Sequence, residues 1–125
     1  MISNESLNAL WAEHGEGCKP VKAWHHTEKF LWYCECPGRP HAVFPETGTG
    51  IVRHAATDPA ATLGVIETMT DKGWYFRSSV HKGSSHFVGF DKYSPEEVEA
   101  HADDKEFGRA VVLAALQALG VKVKA

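Results

Sequence analysis

The run Ala110-Val111-Val112-Leu113-Ala114-Ala115-Leu116-Gln117-Ala118-Leu119 has one polar side chain in ten positions. A helix that is apolar on every side persists in water only when other elements cover every side. Ten residues are too few to span a bilayer, which takes about 20. The run therefore predicts the central core helix of a globular domain, with alanines that permit close approach of a sheet or a second helix. Asp103 or Asp104 stands ready to cap its start and Gly120 to end it, so the expected helix covers residues 104–119.

Burying such a helix needs enough additional chain. The 125 residues, 43% of them hydrophobic, hide about two-thirds of their unfolded surface, enough for one core and too little for two. A single domain over residues 1–125 follows. The formal charge of −3 lacks the basic footprint that general nucleic-acid binding draws on. No window suits a membrane span, and Met1-Ile2-Ser3-Asn4-Glu5-Ser6 lacks the basic and apolar blocks of a secretory signal, so the cytoplasm is the expected compartment. Three cysteines, an odd number, read there as thiols or metal ligands rather than bridges. The eight histidines are scattered, which suits solvated surface positions better than a pH sensor.

Two more helices are signalled. Over residues 3–14, Leu7, Leu10, Trp11 and His14 recur at helical spacing behind Ser3 or Asn4 as cap. Over residues 59–72, Asp58 is the cap, Pro59 fills the first position, Leu63, Ile66 and Met69 or Thr70 form the buried stripe, and Gly73 ends the helix. Residues 30–36 read as an aromatic strand, 41–44 and 51–54 as short extended pieces, and 15–29 as a loop followed by an irregular or short extended segment. Residues 74–80 and 86–90 form a hairpin with Trp74, Phe76 and Val80 toward the helices. Ser94-Pro95-Glu96-Glu97 reads as a capping box and predicts a helical turn or two beginning there, with a break near Ala102-Asp103-Asp104 before the apolar helix. The expected class is α/β in the α+β sense: a small sandwich with one mainly antiparallel sheet of four or five strands, two long helices and a short N-terminal helix.

Residues 56–120 also carry a familiar pattern. Ala56-Thr57-Asp58-Pro59-Ala60-Ala61 opens a helix, Gly73-Trp74 opens a strand, His86-Phe87-Val88-Gly89-Phe90 partners it, and the apolar helix closes the unit. This resembles the phage α-β-α sandwich domain of small bacteriophage proteins. The resemblance implies a compact unit in a phage or prophage protein, with no catalytic residue to carry over. It makes inhibition of a host defence, by binding a host protein or sequestering a nucleotide signal, the natural function.

Chemistry-bearing residues are few. Cys34, Cys36, His41 and Cys18 offer soft ligands for a tetrahedral zinc, although a one-residue spacing on a strand sets Cys34 and Cys36 roughly 7 Å apart at the backbone. The other reading makes the two thiols small buried residues beside Phe30 and Trp32. Arg39, Arg53, His54, Arg77 and Lys82 are the candidates for a carboxylate or phosphate ligand. No local signature of a cysteine hydrolase or a phosphate loop is present. Residues 71–93 carry Lys72, Arg77, Lys82 and Lys92 against Asp71 and Asp91, while residues 94–109 set six acids against Lys105 and Arg109. Trp32 and Trp74 are expected in the core, and Trp11 or Trp24 at an interface. The resulting expectation is a non-enzymatic binding protein for a host protein or small anion, with a zinc-stabilised interaction domain or a small enzyme as alternatives. The oligomeric state is left open, a homodimer included.

Overall fold

The computed structural model describes residues 2–17, 20–25, 29–34, 42–43, 50–51, 54–81 and 85–123, with side chains over residues 2–17, 54–80 and 85–123. Its elements are, in chain order, α1 (Asn4–His14), β1 (Pro20–His25), β2 (Lys29–Cys34), β3 (Ala42–Val43), β4 (Gly50–Ile51), α2 (Pro59–Asp71), β5 (Tyr75–His81), β6 (Ser85–Lys92), β7 (Val98–Asp104) and α3 (Phe107–Ala118). The fold is α+β, with three helices among the described residues. No described helix is long and apolar enough to cross a membrane.

The strands divide into two antiparallel sheets, β1-β2-β4-β3 and β5-β6-β7, instead of the one sheet expected. Strand β2 coincides with the aromatic run, and β1 pairs with it from Pro20↔Cys34 to His25↔Lys29, where sequence patterning left a short extended segment as one of two readings. Both β1 and β2 touch α1.

Helices α1 and α2 start where their caps predict. Ser3 keeps extended backbone and its Oγ accepts the Ser6 N–H at 3.1 Å; Asp58 does the same for Ala60 at 3.1 Å, with Pro59 in the first turn. Their buried stripes differ from expectation. In α1 the inner face is Leu7, Asn8, Ala9, Trp11 and Ala12, while His14 is exposed. Trp11 is 2% exposed and belongs to the core, which corrects its assignment to an interface. In α2, Thr62, Val65 and Met69 are buried, and Leu63 turns 54% of its surface to solvent.

The largest correction lies after the hairpin. No helix begins at Ser94, and the residues expected to continue a helical turn or two and then break near 102–104 instead form β7, the third strand of the second sheet, paired with β6 from His86↔Asp104 to Lys92↔Val98. Val98-Glu99-Ala100-His101-Ala102-Asp103 alternates with period two, so Ala100 and Ala102 turn inward and Glu99, His101 and Asp103 outward. Pairing with β6 satisfies the backbone of a segment whose alanines and acids have little strand preference of their own. Val88, Phe90 and Ala100 are buried on the inner face, with the Phe76 and Phe90 rings 5.6 Å apart. Trp74 and Phe76 also point inward as expected, but Val80, paired with His86 where α3 begins, stays exposed.

Because β7 consumes Asp104, α3 starts three residues late, with Glu106 as its N-cap. Asp104 still serves the helix start: Oδ1 accepts the Glu106 N–H at 2.9 Å, and Oδ2 accepts Nε–H of Arg109 at 3.1 Å. Arg109 has an 8% exposed side chain and also donates from Nη1 to Oδ1 of Asn4, at the head of α1. The apolar run behaves as predicted: Ala110, Val111, Val112, Ala114, Ala115 and Leu116 are fully buried, with β6 and β7 on one side and α1 and α2 on others. Gly120, at φ 80°, turns the chain out of the helix.

A tight turn at residues 54–58 joins all three helices. The N–H groups of Thr57 and Asp58 donate to the His54 carbonyl, Ala56 N–H donates to Asn8 Oδ1 at 2.9 Å, and Thr62 Oγ1 donates to the Ala55 carbonyl at 2.6 Å. Gly108 lies against the Ala56 carbonyl, where a Cβ would overlap the oxygen.

Two substitutions test these contacts. Alanine favours a helix over glycine by about 1 kcal/mol, yet Gly108→Ala is expected to destabilise by about 2 kcal/mol in urea unfolding, because overpacking against fixed backbone outweighs propensity. Asp104→Ala removes the carboxylate of the buried Arg109 and is expected to cost about 3 kcal/mol, read the same way.

Candidate functional site

The helices cover one face of the β5-β6-β7 sheet, so the side chains of the other face share a single outward surface. The strand register sets them in rows: Tyr75, Asp91 and Glu99; Arg77, Gly89 and His101; Ser79, Phe87 and Asp103. Tyr75 is 64% exposed, and Tyr93, just past β6, is 59% exposed with its ring 5.4 Å from that of Tyr75. Contiguous exposed aromatics of this kind mark surfaces that bind.

Arg77 organises the surface. Its Nε donates to Asp91 Oδ2 at 2.6 Å and Nη2 donates to Oδ1 at 3.4 Å, so both carboxylate oxygens are engaged. The guanidinium also lies 5.1 Å from the centre of the Phe87 ring, which stacks on His101 at 5.6 Å and 26°. Glycine at position 89 allows this: a Cβ there would come within 2.9 Å of Arg77 Nε. The hydrogen bond to Asp91 holds the titration of Arg77 above the ordinary arginine value, partly offset by desolvation and reinforced by the charges of Asp91 and Glu99. A base raised in this way contributes stability that is present at all ordinary pH and lost only as pH rises past the arginine range.

The anion-binding residues expected from sequence do not gather here as a set. Arg77 reaches the outer face but is already paired. His54 is exposed in the turn on the helical side of the sheet. Arg39, Arg53 and Lys82 lie outside the described residues, as do the proposed zinc ligands Cys18, Cys36 and His41; Cys34 ends β2, with its backbone paired to Pro20 and Gly50. Among the described residues no group of three or more His, Cys, Asp or Glu is placed to hold a metal ion.

Sequence reasoning missed most of the site. Asp91, Phe87, His101, Glu99 and Asp103 acquire a common surface only through β7, and the period-two alternation of residues 98–103 was the signal that could have found them. A second depression, between the starts of α2 and α3, is lined by Leu63, Ile66 and Phe107 and is mostly apolar. It brings together fewer polar groups than the sheet face.

Arg77→Met leaves Asp91, which is 5% exposed, as a buried carboxylate with no cation. The variant is expected to melt below wild type at pH 7, because a buried carboxylate loses the cation that pairs with it. Thermal melts of the two proteins at pH 7 check the sign.

No protein-family model, curated protein or solved structure matches the chain.

Proposed function

We propose that the protein is a non-enzymatic binding protein that engages a host protein through the outer face of the β5-β6-β7 sheet, as a phage accessory factor acting against a host defence. The observation that carries this reading is the exposed pair Tyr75 and Tyr93 beside a fixed Arg77–Asp91 pair. Such side chains offer large contact area with little rotamer entropy to lose on binding. The phage connection is supported by the resemblance of residues 56–120.

Between the two ligand classes that the resemblance implies, the face favours a protein over a nucleotide. A nucleotide phosphate needs unspent donors, and the guanidinium on this face already spends two on Asp91. Glu99 and Asp103 add negative charge around it, which repels an anion.

The test is recovery of a partner from bacterial host lysate on immobilised protein, compared with Tyr75→Ala/Tyr93→Ala. Removing two exposed aromatics at about 2 kcal/mol each is expected to weaken a specific complex by about three orders of magnitude. Equal recovery by the double variant, with its melting temperature unchanged, would exclude the face as the binding surface.

A further inference from the structure

The charge on the outer face comes from residues that are distant in sequence. Its only strong cation among the described residues, Arg77, is set against three carboxylates, Asp91, Glu99 and Asp103, an excess of two negative charges among those residues. Asp91 is buried under Arg77; Glu99 and Asp103 are exposed and form no ion pair among the described residues. Both lie on β7 with two pleats between them, which spaces them roughly 13 Å apart along the strand. The exposed rings of Tyr75 and Tyr93 lie at the end nearer Glu99, and aromatic faces attract cations within about 6 Å.

We infer that this face takes a basic, extended protein segment, with Lys or Arg side chains four residues apart meeting Glu99 and Asp103 and a further cationic side chain over the tyrosines. The inference rests on the outer face being the binding surface and adds the chemistry of its partner. Spacing supports an extended segment: residues four apart on such a chain are separated by the same roughly 13 Å as the two carboxylates. Charge complementarity gives affinity and rejects an acidic segment, which would place like charges together.

A hexa-arginine peptide and a hexaglutamate peptide are the probes, titrated into the whole protein while backbone amide shifts are followed. Hexa-arginine is expected to move amides of β5, β6 and β7 around Tyr75, Gly89 and His101. Raising salt from about 50 to about 500 mM is expected to weaken it at least tenfold, as screened charges require. Glu99→Gln/Asp103→Asn is expected to weaken it about fivefold or more, while Glu13→Gln/Glu67→Gln, on the helices, leaves it within about twofold. Hexaglutamate is expected not to bind the face. Shifts centred on α1 or α2, salt-independent binding, or equal affinity of the Glu99/Asp103 variant overturns the inference. That result stands apart from failure of the binding surface itself, which is read from capture of the host partner by Tyr75→Ala/Tyr93→Ala. Capture lost in that variant with hexa-arginine bound elsewhere keeps the surface and rejects the basic segment.

Discussion

Ala110, Val111, Val112, Ala114, Ala115 and Leu116 of α3 are fully buried, and the surrounding elements are arranged to cover them, which leaves Leu113 and Gln117 on the one side open to water. Strands β6 and β7 supply one wall, with Val88, Phe90 and Ala100, while α1 and α2 supply others, with Leu7, Trp11, Val65 and Met69. Small alanines let these walls approach closely, and each apolar side chain removed from water contributes on the order of 2 kcal/mol. The helix also fixes where polar groups must be satisfied. Arg109 enters the same buried environment and is acceptable there because Asp104 and Asn4 meet it. One ends the strand before α3 and the other begins α1, so a single guanidinium ties three elements at their ends.

The turn at residues 54–58 makes the complementary link at the other helix starts. Asn8 from α1, Thr62 from α2 and Gly108 from α3 each contact Ala55 or Ala56. With both junctions in place, the helices occupy one side of the β5-β6-β7 sheet. An antiparallel sheet covered on one face leaves the other to solvent, and the candidate site is that other face. Its side chains were free to become aromatic and charged because none of them is needed to cover α3.

How much of this was legible in sequence depended on the range of the signal. Ser3 and Asp58 cap helices within their own first turns, so both starts could be read correctly. The hairpin was equally legible, since β5 and β6 are adjacent and alternate in pattern. Residues 98–104 were misread because Ser94 and Glu97 imitate a capping box locally, whereas the reason for a strand is the unpaired edge of β6, which no local window contains. The same error hid the site. Arg77, Lys72, Lys82 and Lys92 read as a basic hairpin beside an acidic stretch, but β7 carries Glu99 and Asp103 from that stretch onto the face of Arg77, and the surface becomes acidic.

By itself the sequence determined that an apolar helix lies at the centre of a core, and where two of the three described helices begin. Those properties follow from side-chain polarity and from caps that act over three or four residues. Only the tertiary structure decided that the strands divide between two sheets, that Trp11 is core, and that Asp91, His101, Glu99 and Asp103 stand around Arg77. Strand pairing joins residues far apart in the chain, and its register, not their order, decides which side chains share a face.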